Sequence, residues 1–106
     1  MGKILTLSIE AVTDDTSFIR CVRALSVDSG RVKLTQHARE RMVQRQISIR
    51  EVIETLRKGR LIEPAVTDVR GEWVGRIIHD FAGQKIHVVT KLVIRQTECV
   101  LIITTF

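Results

Sequence analysis

An α+β fold is predicted by three features of the sequence. Apolar residues recur at helical spacing between recognisable caps as far as Gly59, and beyond it they alternate with polar ones as strands do. The links Ala82-Gly83-Gln84 and Arg95-Gln96 are short enough to force antiparallel hairpins. Helices first and strands afterwards give N-terminal helices packed on a four-stranded antiparallel β meander.

Residues 4–12 fit two patterns. Leu5, Leu7, Ile9 and Ala11 alternate with Thr6, Ser8 and Glu10, yet Leu5, Ile9 and Val12 also fit a helix; a strand or extended arm is the preferred expectation. Asp14, Asp15, Thr16 and Ser17 then offer a helix N-cap with acidic residues at the positive end of the dipole. Phe18, Cys21, Val22 and Leu25 lie on one face of a helix expected over 16–27, which stops near Asp28-Ser29-Gly30.

Val32 and Leu34 flank Lys33 in a brief extended lead-in, and Thr35 is a suitable N-cap for a helix carrying His37 to Arg45. Gln46 and Ile47 separate it from the next. There Ser48 and Glu51 form a capping box and Ile47 can staple onto Val52, a cap contributing about 1 kcal/mol. Ile49, Val52, Ile53 and Leu56 supply the apolar face, and Gly59 after Arg57 and Lys58 is the stop signal.

Leu61 and Ile62 begin a short strand, and Pro64 confines it to an edge or marks its end. Residues 68–71 read as a turn, and 73–81, 85–94 and 97–106 as three long strands. Parity separates the faces of the meander. Trp73, Ile77, Phe81, Ile86, Val88, Leu92, Ile94, Cys99, Leu101 and Ile103 make the seat for the helices. Val74, Arg76, Ile78, Asp80, His87, Val89, Lys91, Val93, Val100, Ile102 and Thr104 make a second face, partly solvated or the floor of a cleft.

At 106 residues the chain reads as a single domain, 1–106, with 1–30 an N-terminal extension carrying a helix and 31–106 the core domain. A chain of this size buries roughly 65% of its unfolded surface. Cys21 and Cys99 lie in apolar neighbourhoods without metal-type spacing, as buried reduced packing residues would. No apolar stretch suits a membrane span or a secretory signal, so a cytoplasmic location is expected. Three Phe, one Trp and no Tyr argue against a stacking platform for single-stranded bases.

The net charge of +5 is unevenly placed. Residues 1–30 carry three basic and four acidic groups, 31–60 nine and three, and 61–106 five and five. The whole surplus sits in the middle third, which favours RNA, DNA or an acidic protein as partner. A solvated arginine-rich helix face is the plain alternative.

On the central helix, residues four apart stack, so His37, Arg41 and Arg45 form one ridge and Ala38 and Met42 an apolar one beside it. An imidazole is available in both protonation forms near neutrality, and guanidinium forks grip phosphate oxygens. Such a set suits metal-free RNA cleavage, in which a base activates the ribose 2′-hydroxyl and fixed cations stabilise the phosphorane. Equally, His37 could pin the helix to the sheet while the arginines pair with Glu40 or Glu63. Arg39 adds to the basic surface. His87 and Lys91 could extend it as a groove, or simply be solvated. His79 is expected among core residues with a satisfied hydrogen bond, on the face opposite His87, and no compact ligand set implies a metal. Thr104 could donate to a phosphate oxygen or merely fill a strand position.

The order Leu34-Thr35-Gln36-His37-Ala38-Arg39-Glu40-Arg41-Met42-Val43-Gln44-Arg45-Gln46-Ile47-Ser48, a helix ending at Gly59 and strands closing on Ile103-Thr104, resembles the bacterial domain-of-unknown-function family 4258 over about residues 31–105. Its Thr-x-His-Ala-x-x-Arg-Met core is a fairly specific signature. The resemblance implies the fold of barnase, colicin-type ribonucleases and RelE-like toxins. It also implies a metal-independent endoribonuclease of a toxin system, without cofactor, with His37, Arg41 and Thr104 at the matching positions. Two departures stand against a RelE-type arrangement: the chain has no Tyr, and its final strand has no basic cluster.

Two functions are therefore expected as alternatives. One is RNA cleavage by His37, Arg41 and Thr104, with Arg45, Arg39, His87 and Lys91 binding RNA. The other is a non-catalytic module whose basic helices bind nucleic acid or an acidic partner such as an antitoxin. A strand edge near Leu61 or Phe106 would permit a homodimer.

Overall fold

The first helix, α1 (Asp15–Ser26), begins where Asp14 and Ser17 satisfy each other's backbone amides. The Asp14 carboxylate accepts from the Ser17 amide at 2.9 Å, and the Ser17 hydroxyl accepts from the Asp14 amide at 3.1 Å. That bond from the Ser17 amide holds the Asp14 carboxyl below its ordinary value. Phe18, Cys21, Val22 and Leu25 are buried on one face, as their spacing predicts. The computed structural model describes residues 12–95 and 98–105. The extended arm expected over 4–12 falls almost wholly outside these residues, as does Phe106.

A three-residue strand β1 (Val32–Leu34) leads into α2 (Gln36–Arg45), capped by Thr35. α2 ends at Gln46, whose left-handed backbone (φ 55°) turns the chain so that the Ile47 amide reaches the Met42 carbonyl at 2.9 Å. α3 (Ile49–Lys58) starts on the expected Ser48–Glu51 capping box and buries Val52, Thr55 and Leu56. Ile49, expected on that apolar face, remains 48% exposed. Thr55 takes a core position because its hydroxyl donates to the Glu51 carbonyl at 2.8 Å.

Five strands follow: β2 (Arg60–Leu61), β3 (Val66–Thr67), β4 (Trp73–Phe81), β5 (Gln84–Arg95) and β6 (Glu98–Thr105). They form with β1 a six-stranded sheet of order β1-β6-β5-β4-β2, with β3 also on β4. The fold is α+β as predicted, but the sheet is mixed and wider than four antiparallel strands. β2, β4, β5 and β6 do run antiparallel in sequence, while β1 lies parallel to β6 with Val32 opposite Leu101 and Leu34 opposite Ile103. β6 is therefore covered on both sides over Leu101–Ile103, and the edges are β2 and β1. The edge expected near Leu61 is present; the one expected near Phe106 lies outside the described residues.

The hairpin β4–β5 turns through Ala82 and Gly83, both with positive φ (50° and 88°), as a two-residue loop between right-twisted strands requires. Parity assigns the sheet faces correctly. Ile77, Ile86, Val88, Leu92, Cys99, Leu101 and Ile103 join the buried helix residues in one core, with Trp73 and Phe81 packed against it. On the opposite face Val93, Val100 and Ile102 form a smaller buried cluster. α1 sits close to the sheet because Gly75 has no side chain: a Cβ there would lie 2.5 Å from Phe18 Cε2. Cys21 and Cys99 are buried free thiols, and burial pushes Cys21 up to about 11. Among the described residues, no helix is long and apolar enough to cross a membrane.

Candidate functional site

The first turn of α2 is tied to the end of β6. Because β1 pairs with β6 up to Leu34 and Ile103, the chain enters α2 where β6 closes. The Thr35 amide donates to the Ile103 carbonyl at 3.1 Å. Its hydroxyl accepts from the Ala38 amide at 3.1 Å and donates to the Thr104 carbonyl at 3.4 Å. One hydroxyl thus caps the helix and links it to the sheet, using its donor and one lone pair. His37, two residues on, is exposed on this anchored turn.

Beneath the turn, on the second face of the sheet, lies a cavity of about 390 Å³ bordered by Thr35, Arg70, Glu72, Lys91 and Thr104, with Val93 and Ile102 as apolar floor. Lys91 Nζ sits 2.9 Å from Asp68 and 3.7 Å from Glu72. Asp68 in turn orders the β3–β4 turn by accepting from the Arg70 and Glu72 amides at 2.9 and 3.0 Å. The Lys91 hydrogen bond is the main reason its carboxyl is held below the ordinary value, and the two amides add to it. The Thr104 hydroxyl donates to the Val89 carbonyl at 3.3 Å, next to a register shift between Val89 and Thr90.

The residues singled out from the sequence therefore fall into separate groups. His37, Arg39 and Arg45 are exposed on α2. Arg41 is half-buried, its Nε closed off from solvent, and is not a free cation. Thr104 and Lys91 share the cavity with Thr35. His87 lies opposite Ile78 on the same face of β5 as Lys91 but roughly 13 Å further along the strand, so it does not extend that cavity. His79 is on the helix side, edge-on to Phe81 at 4.8 Å, with Nε2 3.9 Å from Glu54. Glu40, considered as a partner for the arginines, accepts a hydrogen bond from Gln36 at 3.3 Å. Among the described residues, no group of three or more His, Cys, Asp or Glu could hold a metal ion.

Three contributors to the cavity escape the sequence motifs: Arg70, Glu72 and the acidic partner Asp68. The available signal was parity, since Glu72 precedes Val74 by two and so shares its face with Lys91, which is opposite Val74.

A basic helix fastened by its cap to the last strand of an α+β sheet defines the class structurally. The family described as Domain of unknown function (DUF4258) matches residues 34–106, and the chain belongs to that family. The match begins at Leu34, so α1, whose side chains complete the core, lies ahead of it. No curated protein and no solved structure matches the chain.

Proposed function

We propose that the chain is a metal-independent endoribonuclease acting at the first turn of α2, with the ribonuclease-toxin fold of barnase, colicin-type and RelE-like proteins as its wider kin. The observation that carries this is His37, exposed on a helix turn held to β6 through Thr35, with Arg39 and Arg45 also exposed on the same helix. His37 takes the proton of a ribose 2′-hydroxyl as its oxygen bonds to the adjacent phosphorus; the P–O5′ bond breaks, leaving a 2′,3′-cyclic phosphate, and the departing 5′-oxygen takes a proton from solvent. Arg41, one turn on, supplies positive charge to the phosphorane, and Arg39 and Arg45 hold neighbouring phosphates. Thr104 acts through its carbonyl, which holds Thr35, because its own hydroxyl proton is directed at Val89. The helices ahead of an antiparallel β4-β5-β6 run support the fold analogy, and a toxin-system setting follows from that analogy alone. An acidic antitoxin would cover the same basic helix.

A second reading is favoured by the half-burial of Arg41 and the pairing of Lys91 with Asp68 and Glu72. These leave His37, Arg39 and Arg45 as the outward groups of the region, enough for phosphate binding without chemistry. The experiment is incubation of the purified chain with ribosome-bound, transfer and synthetic RNA in the presence of a chelator. Cleavage supports the enzyme. Intact RNA with salt-dependent binding, its slope flattened by Arg39→Ala and Arg45→Ala, supports the binding module.

A further inference from the structure

At the sheet edge opposite α2, five chain segments meet around a cavity of about 260 Å³ whose border includes Arg23, Lys58, Arg60, His79, Asp80 and Lys85. Each arrives from a different place: Arg23 from the last turn of α1, Lys58 from the end of α3, Arg60 from β2, and the others from the facing ends of β4 and β5. Arg23 Nη2 donates to the Gly59 carbonyl at 3.1 Å, which fixes its guanidinium at the rim. The floor is rigid, because the α3–β2 joint is pressed onto β4. A Cβ on Gly59 would lie 2.5 Å from the Thr55 carbonyl oxygen and 2.6 Å from that of Ile78.

The charges around this cavity do not balance. Lys58 lies 3.7 Å from Glu54, which His79 Nε2 also approaches at 3.9 Å, and Asp80 is opposite Lys85 in register. Arg60 and Lys85 hold no salt bridge among the described residues. Four permanent cations thus face Asp80 and the shared Glu54, and clustered like charges of this kind are stabilised by an incoming anion. At about 260 Å³ the cavity has room for a small anion such as phosphate together with several waters, at about 30 Å³ per water.

We propose that this cavity binds a single phosphate group, either free or carried on an RNA backbone. Only the second carrier rests on the RNA reading above, and the site stands without it. Arg23, Lys58, Arg60 and Lys85 border it from α1, α3, β2 and β5, and guanidinium and ammonium groups are the charge-assisted donors that phosphate oxygens accept from.

Binding of inorganic phosphate to the full chain, followed by calorimetry at constant ionic strength, tests this directly. Arg60 and Lys85 are exposed, so the double variant Arg60→Ala/Lys85→Ala should fold, which circular dichroism checks. Saturable binding that weakens at least tenfold in the double variant, and is unchanged in Lys33→Ala on β1, an exposed cation away from both sites, is the expected result. A parallel titration with a short RNA assigns the carrier: affinity lost with the same double variant means backbone phosphate, and affinity retained means a free phosphate. Absence of saturable phosphate binding, or equal binding by wild type and double variant, overturns the proposal.

Discussion

The Thr35 hydroxyl stands between two elements, accepting from the Ala38 amide at 3.1 Å and donating to the Thr104 carbonyl at 3.4 Å. Thr35→Ala removes an N-cap worth about 1 kcal/mol and the link to β6 together. Thr35→Ser keeps both donor and acceptor. In urea unfolding, Thr35→Ala should lose about 1–2 kcal/mol and Thr35→Ser less than half of that. Equal losses would mean that the methyl group, not the hydroxyl, matters at this position.

Thr90 carries the opposite kind of hydroxyl. It is fully buried on β5, and its Oγ1 has no hydrogen-bond partner among the described residues. A buried polar group left unpaired costs about 1–3 kcal/mol, and valine has nearly the same shape without it. Thr90→Val should therefore match or exceed wild-type stability, by up to about 1 kcal/mol. A clear loss in thermal or urea unfolding would show that this hydroxyl is satisfied in solution.

Two groups give stability a definite pH dependence. Asp68 is held below its ordinary value chiefly by Lys91, so its contribution is present above the ordinary carboxylate range and disappears as pH falls through the lowered value. Lys91→Met should flatten the acid limb of a stability-against-pH curve. Cys21 is the reverse: burial raises it from 9.0 to about 11. Its contribution is complete below pH 9 and is lost as pH rises towards 11, on the order of 2 kcal/mol. Cys21→Ala should remove that alkaline decline, and an unchanged slope would mean that the thiol is not protected.

Much of the architecture was legible because it is local. The Ser48–Glu51 box and the helical period fix α3, and the nine residues of β4 are enough for parity to assign both faces of the sheet. The extended course of Val32–Leu34 was legible but not its parallel pairing with the last strand, and β3 was not legible, since two residues carry no period. The site was readable in part. Spacing places His37, Arg41 and Arg45 near one another, but a helix turns about 40° past a full revolution every four residues. That drift would bring Arg45, not Arg41, nearest in angle to the buried Ala38, yet Arg41 is half-buried while His37 and Arg45 are exposed. What packs over each turn of α2 decides this, and no residue spacing records it.

The central claim is that His37 performs chemistry on RNA at the anchored turn of α2. The most direct measurement compares wild type and His37→Ala in chelator, following cleavage and RNA affinity on the same samples. Wild type should cut, and the folded variant should retain affinity within about threefold while losing 10²–10⁴ in rate, the ordinary contribution of a general base. Cleavage by His37→Ala at the wild-type rate, or RNA left intact by wild type, would contradict it.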